Sequence, residues 1–409
     1  VAVEEGITVM KILYTTASRL GGTGLSNVAH QAALASYDKG CLRQVICYGN
    51  RQTEVPDKLI KKICFQPAKI FSSLSSRYYY SMKRMWLDWR ASHWLQKHDV
   101  DIFHGWTHES LNTLRIAREK GIIGIVDRGY SHPKFSKRIL DEEFEIYGVP
   151  RNLDSCPTWL KPYDHWRREL EEACEEFDLA DYVFVNSSFC YNTFIDEGFP
   201  KDKLVMLPRG FDARRYYTSE KKDQIFRVIF VGQMLVRKGL KYLLESWNKL
   251  SLPNSELLLV GHMMDEVRSL MAPYLRQKNI RHLGFVPDPV AAYQSASVFI
   301  FPSVDEGSAK VTYEAMACGL PVIVTANAGS LAIDGEDGFI VPIRSVDALM
   351  EKILFFFENP EAMRTMGMTG RRHIENYTWE TYRSSLVERY QSVVGRGAGQ
   401  TEIREEQCI

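Results

Sequence analysis

Residues 297–325 constrain the fold more than any other stretch of the chain. The apolar run Ser297–Phe301 (SVFIF) is stopped by Pro302, residues 303–307 have loop composition, Lys310–Cys318 suits a helix, and Leu320–Val324 is a second buried-strand run. Gly319 is a natural helix stop, with Pro321 just beyond it. A strand, loop, helix and strand in that order commit the segment to an α/β layer architecture. Glu306 and Glu314 stand eight residues apart, one before the helix and one within it. In a helix that separation is roughly 12 Å, about the reach of a sugar plus a pyrophosphate. The helix N-terminus between them has free N–H groups that suit phosphate oxygens. A carboxylate has two acceptor oxygens and suits a vicinal diol. The plainer reading of the same pattern is a strand–loop–helix with two solvated acids.

Similar alternation runs along the whole chain. Strands are expected at Val9–Tyr14, Gln44–Tyr48, Val100–His104, Ile122–Val126, Tyr182–Val185 and Leu204–Leu207, and again at Phe226–Val231 and Glu256–Gly261. Asn186-Ser187-Ser188 caps a helix, and the charged polar run Ala213–Gln224 reads as a linker between two domains. With 409 residues there is room for two or three domains, each with its own core. The composition is that of an ordinary soluble globular protein, and the net charge is zero, so nothing implies a nucleic-acid partner. The eight cysteines form no C-x-x-C and no zinc spacing, which points to reduced thiols in a cytosolic protein. No apolar run approaches the ~18 residues of a membrane helix. Val1–Ile7 contains Glu4 and Glu5 and does not read as a secretory leader, and Met10 offers an alternative start.

Three further segments suggest chemistry. The first expected strand, the glycines Gly21, Gly22 and Gly24, and the Ala-rich helix Leu25–Ser36 form a cradle that suits an anion, although a plain strand–helix turn fits too. Gly232–Gly239 (GQMLVRKG) places Arg237 and Lys238 side by side at a loop–helix junction. Two adjacent cations in a cleft suit a diphosphate, and two surface charges are the alternative. Residues 58–98 contain nine Lys/Arg and one acid, with Tyr78, Tyr79, Tyr80, Trp86, Trp89 and Trp94 among them. Leu74, Tyr78, Met82, Met85 and Trp89 fall at helical spacing, so residues 72–98 could lie on an anionic membrane surface, or the stripe could pack on the sheet. Residues 141–181 are acidic, with thirteen Asp/Glu against four Lys/Arg, and Arg167–Phe177 reads as a solvated helix.

Glu306-Gly307-Ser308-Ala309 through Glu314-Ala315-Met316-Ala317-Cys318-Gly319-Leu320-Pro321-Val322-Ile323 resembles the signature of family 4 glycosyltransferases, with Ser308 and Ala309 in place of the commonest Phe-Gly. Pro208-Arg209-Gly210-Phe211-Asp212 resembles the turn that ends the first domain in that family, with Arg209 for Asn. The resemblance spans about residues 9–394 and implies the GT-B architecture: two Rossmann-like, doubly wound parallel-sheet domains facing across a cleft. The domains would be 1–212 on the acceptor side, a linker 213–225, 226–372 for the nucleotide-sugar, a helix 373–395 crossing back to the first domain through Tyr382, Leu386 and Tyr390, and a polar, disordered tail 396–409.

The resemblance implies a retaining transfer of a hexose-type sugar from a nucleotide-diphosphate sugar to an acceptor hydroxyl. It implies no cofactor and no required metal, because no Asp-x-Asp stands ready to bridge the diphosphate. Glu306, Lys238 and Arg237 would be catalytic, with Arg237 replacing the family Arg that is Gln233 here. Glu314, Gly22, Gly232, Ser308, Ala309, Lys310 and Val286 would bind the donor. On the acceptor side Asp101 and His104 fit a D-x-x-H pattern, whereas the His of a second family motif is missing near Gly129, leaving Tyr130 and His132 as substitutes. Partners would be the nucleotide-sugar and a glycan or lipid-linked acceptor, and the place cytoplasmic, peripheral on the inner membrane face. A non-catalytic scaffold and a nucleotide-sugar epimerase keep the same fold.

Overall fold

In the computed structural model the described residues are 10–64, 66, 76–149, 165–212 and 214–406, less the side chains of 76–78, 165–168 and 396–406. The expectations placed on Val1–Val9, Leu74, the Tyr78 side chain, Cys156, Cys408 and Ala213 lie outside them. The first sheet has β1 (Ile12–Thr16), β2 (Leu42–Cys47), β3 (Ile60–Lys62), β4 (Ile102–Trp106), β5 (Ile123–Arg128), β6 (Tyr182–Val185) and β7 (Leu204–Met206), in the order β3-β2-β1-β4-β5-β6-β7. The second has β8 (Phe226–Val231), β9 (Ser255–Val260), β10 (Ile280–Gly284), β11 (Val298–Phe301), β12 (Val322–Thr325) and β13 (Gly338–Val341), in the order β10-β9-β8-β11-β12-β13. Every strand pair is parallel.

Helices of the first half are α1 (Leu25–Asp38), α2 (Ser76–Leu95), α3 (Leu111–Glu119), α4 (Pro133–Tyr147), α5 (His165–Leu179) and α6 (Ser188–Asp196). Those of the second are α7 (Leu240–Leu250), α8 (Asp265–Met271), α9 (Val290–Gln294), α10 (Lys310–Ala317), α11 (Val346–Glu358), α12 (Pro360–Ile374) and α13 (Trp379–Glu406). Parallel strands covered on both faces need apolar residues throughout, and all four residues of β11 and of β12 are buried. The strand order reverses between β1 and β4 and between β8 and β11, so in each sheet the crevice lies beyond those strand ends.

The structure moves several expected boundaries. The first strand starts at Ile12, and β4 and β5 extend to Trp106 and Arg128, because each pairs across a neighbour's full length. Val286 lies beyond β10, which ends at Gly284. The helix expected to be solvated, α5, buries Ala173, Glu176 and Phe177. α2 buries Leu87, Ala91, Trp94 and Leu95, while Met85 and Trp89 of the sequence stripe face outward, so those two do not pack on the sheet. Ser187 caps α6 by accepting from Cys190 N, as its residue type leads one to expect.

α13 packs Tyr382, Leu386 and Tyr390 into the core of the first sheet beside Ile12, Ala29 and Ala33. It continues as helix to Glu406, where the polar composition predicted an irregular tail. The linker is anchored as well: Tyr216 is buried in the core of the second sheet, and Arg371 Nη1 donates to its carbonyl at 2.7 Å.

Candidate active site

Arg237 and Lys238 owe their place to glycine. After β8, the chain passes Gly232 (φ 149°), whose carbonyl occupies the space a Gly261 side chain would need. It then makes a short helical turn, Val236–Lys238, that ends at Gly239 (φ 66°). A Cβ at Gly239 would fall on the Pro302 carbonyl, so only glycine lets this loop pack against the one after β11. Two hydrogen bonds lock the contact: Val304 N and Ser303 Oγ donate to the Arg237 carbonyl at 2.9 and 3.0 Å.

The result is a charge cluster at the reversal point of the second sheet. Lys238 Nζ pairs with Glu306 Oε2, and Arg237 Nη1 lies 3.2 Å from the same oxygen. Arg237 Nη1 also donates to the Asp305 carbonyl at 3.2 Å. Lys238 is buried and sits 4.9 Å from the centre of the Phe301 ring. Burial, and then the adjacent Arg237 cation, push its ammonium well below the usual lysine range, against the pull of Asp305.

Glu314, one turn into α10, is held by the Tyr293 hydroxyl, which donates to Oε2 at 3.0 Å. Burial raises its carboxyl, while the Tyr216 and Tyr293 hydroxyls, Lys310 and Arg215 oppose that. Lys310 lies 4.8 Å from the Trp379 ring centre, and burial pushes its ammonium down to about 8. Ser308 Oγ is 2.7 Å from the Tyr313 hydroxyl, and Ala309 N donates to the Ala328 carbonyl at 3.0 Å, so that amide is already used. Half-buried Val286 follows Phe285, an exposed ring stacked on His262 at 5.0 Å and 5°, a rim pair that no sequence signal singled out. Gly22 lies in the exposed loop after β1.

The first domain meets this cluster through the loop between β5 and α4. A Cβ on Gly307 would fall on the Gly129 carbonyl oxygen, so Gly129 itself abuts the loop after β11. The Tyr130 ring centre is 5.5 Å from the Arg237 guanidinium carbon. Ser131 Oγ and Ser136 Oγ each donate to the Asp305 carboxylate at 2.6 Å, and Ser187 Oγ donates to the Gly307 carbonyl at 2.6 Å. Sequence reasoning missed Asp305, Ser131 and Ser136, and read Ser187 only as a helix cap, because nothing local marks a partner that comes from another domain.

Of the acceptor-side histidines, neither joins the cluster. His132 caps α4: its Nδ1 accepts from Lys134 N at 3.3 Å, and it is buried against Phe194. Burial pushes its imidazole down to about 4. His104 is fully buried beneath α13, with Nδ1 2.7 Å from the Tyr390 hydroxyl, and burial pushes it also to about 4. Nearer the outside, a groove of about 580 Å³ runs between α2, α3 and α5, lined by Met82, Met85, Trp86 and Trp89 with His108 and Glu176 deeper.

Residues 217–373 match the family described as Glycosyl transferases group 1, and residues 23–215 match Glycosyltransferase Family 4. The capsular polysaccharide biosynthesis glycosyltransferase CapM of Staphylococcus aureus is 32% identical over 53% of this chain and 62% of its own. The phosphatidyl-myo-inositol mannosyltransferase of Mycobacterium tuberculosis is 29% identical over 47% of this chain and 55% of its own. The chain therefore spans less than two thirds of the length of these relatives. Among solved structures, sucrose-phosphate synthase from Thermosynechococcus elongatus superimposes with a TM-score of 0.66 at 19% identity, over 95% of this chain and 100% of that one. Anabaena HepE in complex with UDP and glucose gives 0.65 at 18% identity, over 94% and 100%. At those identities the structures establish the two-domain fold.

Proposed function

The chain belongs to glycosyltransferase family 4, and from that premise we propose that it moves a hexose-type sugar from a nucleotide-diphosphate sugar to an acceptor hydroxyl, with retention and without a required metal. The observation that carries this reading is the convergence of Arg237 and Lys238 on the single carboxylate of Glu306 at the sheet's reversal point. Both cations carry N–H donors that can turn from that acid to the oxygens of a diphosphate.

In the proposed step the acceptor oxygen bonds to the anomeric carbon while the bond from that carbon to the diphosphate oxygen breaks. The leaving phosphate keeps the electron pair and takes the acceptor's proton on the same face. Lys238 and Arg237 stabilise the charge that develops there. Removing one such donor from a preorganised site costs about 10²–10³ in rate. Glu306 holds the sugar hydroxyls and the developing positive charge at the anomeric carbon. Glu314 exchanges its bond from Tyr293 for the ribose hydroxyls. Contact between the two domains at Gly129 and Gly307 keeps water from the reacting carbon.

The names of the relatives, one for capsular polysaccharide and one for a phosphatidylinositol lipid, support an acceptor that is a glycan or a lipid-linked glycan. The outward Met85 and Trp89 of α2, with Lys83, Arg84 and Arg90 on the same helix, support peripheral contact with the inner membrane face. No helix among the described residues is long and apolar enough to cross a membrane.

The test is a thermal-shift screen with UDP, GDP, ADP, dTDP and CMP on the wild type and Glu314→Gln, followed by turnover of the matching nucleotide-hexoses by the wild type and Lys238→Ala. One diphosphate should stabilise the wild type more than Glu314→Gln, and Lys238→Ala should lose transfer by about 10²-fold or more while staying folded. Near-normal transfer by Lys238→Ala, or a wild type that binds no diphosphate and turns over no donor, overturns the reading.

A further inference from the structure

We infer that Asp305 is a positioning residue: its carboxylate clamps the first-domain segment 129–136 across the Glu306 loop and so holds shut the cleft wall beside the reacting sugar. Each of its oxygens has its own donor from the opposite domain, Ser131 Oγ at 2.6 Å on Oδ1 and Ser136 Oγ at 2.6 Å on Oδ2. Asp305 is 2% exposed and Ser131 is fully buried.

The clamp is braced on both sides. Arg128 Nε donates to the Ser131 carbonyl at 3.0 Å, and Asn186 Nδ2 to the Gly129 carbonyl at 3.2 Å. On the other side the Asp305 carbonyl accepts from Arg237 Nη1 at 3.2 Å, which ties the clamp to the charge cluster. The same loop lays the Tyr130 ring over Arg237. A shift of Asp305 therefore moves the loop that carries Glu306 and the cover over its cation.

A buried carboxylate without donors is costly, so these two hydroxyls matter most when water is absent. When the domains part, water replaces them. The two bonds need both domains in contact, so they favour the arrangement in which the domains touch. Closure decides whether the activated sugar meets the acceptor or water. That consequence rests on the proposed transfer reaction, but the clamp itself does not.

Hydrogen exchange read by mass spectrometry on the full chain tests the clamp, using Asp305→Ala, the pair Ser131→Ala/Ser136→Ala, and all three together. Peptides spanning 128–136 and 303–309 should exchange about tenfold faster in the first two variants, the mid-range coupling for groups in direct contact. Peptides from β8 should not change, and the triple variant should exchange no faster than Asp305→Ala, because the serines act through the carboxylate. Donor turnover adds a readout that simple loss of packing would not move: the ratio of hydrolysis to transfer should rise in the same variants, and Asp305→Asn, with one acceptor oxygen left, should restore part of it. If Asp305→Ala loosens β8 as well, the serine pair decides. Wild-type exchange in the serine pair, effects that add in the triple variant, or opened loops with an unchanged hydrolysis-to-transfer ratio overturn the role. Faster exchange in a protein that consumes no nucleotide-sugar upholds the clamp and sinks the transferase reading instead.

Discussion

Asp127→Asn is the substitution whose cost can be worked most directly from the structure. Asp127 and Arg209 are 2% and 4% exposed, and the guanidinium grips the carboxylate with two nitrogens, Nη1 at 3.0 Å from Oδ2 and Nη2 on Oδ1. Around them lie the Tyr382 hydroxyl, which accepts from Nη1 at 3.3 Å, and the Trp106 ring at 5.2 Å. Asp127 is the penultimate residue of β5, Arg209 follows β7 on the way out of the first domain, and Tyr382 belongs to the helix that returns to it. One carboxylate therefore pins both passages between the domains. Removing its charge leaves Arg209 a buried cation whose remaining partners are one neutral amide oxygen, a hydroxyl and ring faces. Breaking a buried pair from one side costs about 3–5 kcal/mol, which lowers the melting point of a domain this size by roughly 10 °C. Replacing both partners by apolar residues removes the stranded charge, so Asp127→Leu/Arg209→Met should recover most of the loss. Urea unfolding followed by tryptophan fluorescence measures all three proteins, since Trp106 lies against the pair. A single variant within about 1 kcal/mol of the wild type, or a double variant worse than Asp127→Asn, refutes the account.

Three further outcomes can be measured. Burial raises the Glu109 carboxyl from 4.5 to about 8, so its neutral form fits the fold and the associated stability is present below 4.5 and lost as pH rises through 8. Glu109→Gln should therefore gain on the wild type in melting point across that interval, and a constant gap between the two proteins would contradict the assignment. Burial holds His104 at about 4 against an ordinary 6.5, so it folds neutral; its stability is present above 6.5 and lost as pH falls through 4. His104→Asn should flatten the acid-side decline, and an identical slope in both proteins would place the titration elsewhere. Exchanging Lys83, Arg84 and Arg90 for Gln should weaken sedimentation with anionic vesicles and leave neutral vesicles unaffected; unchanged sedimentation removes the membrane contact from the proposal.

The candidate site was legible where its chemistry is contiguous. Glu306, Glu314 and the glycine stop at Gly319 sit in one segment, and Arg237–Lys238 in another, each bounded by strand runs that could be read directly. Their convergence came with the strand order, which sets β8 beside β11 at the reversal point, where open parallel sheets place sites. The first-domain face of the cleft was not legible. His104 fits a sequence pattern, yet it lies under α13, whose Tyr390 stands 286 residues away in the chain. His132 was a candidate because it follows Tyr130, and the structure uses it to cap a helix. Arg209 stood out as a departure from the usual Asn, but the acid that explains it is 82 residues earlier.

What the sequence determined by itself is the alternation of strand and helix, the two sheets, and the segment that carries the paired carboxylates and the cations. These depend on periodicity, on glycine's backbone freedom and on charges within a few residues of one another, and all of those are local. Only the tertiary structure decided that Gly129 abuts Gly307, that Asp305 meets Ser131 and Ser136, and that Asp127 pairs with Arg209. These contacts join segments far apart in the chain, and a carboxylate's burial and partners are set by what packs over it.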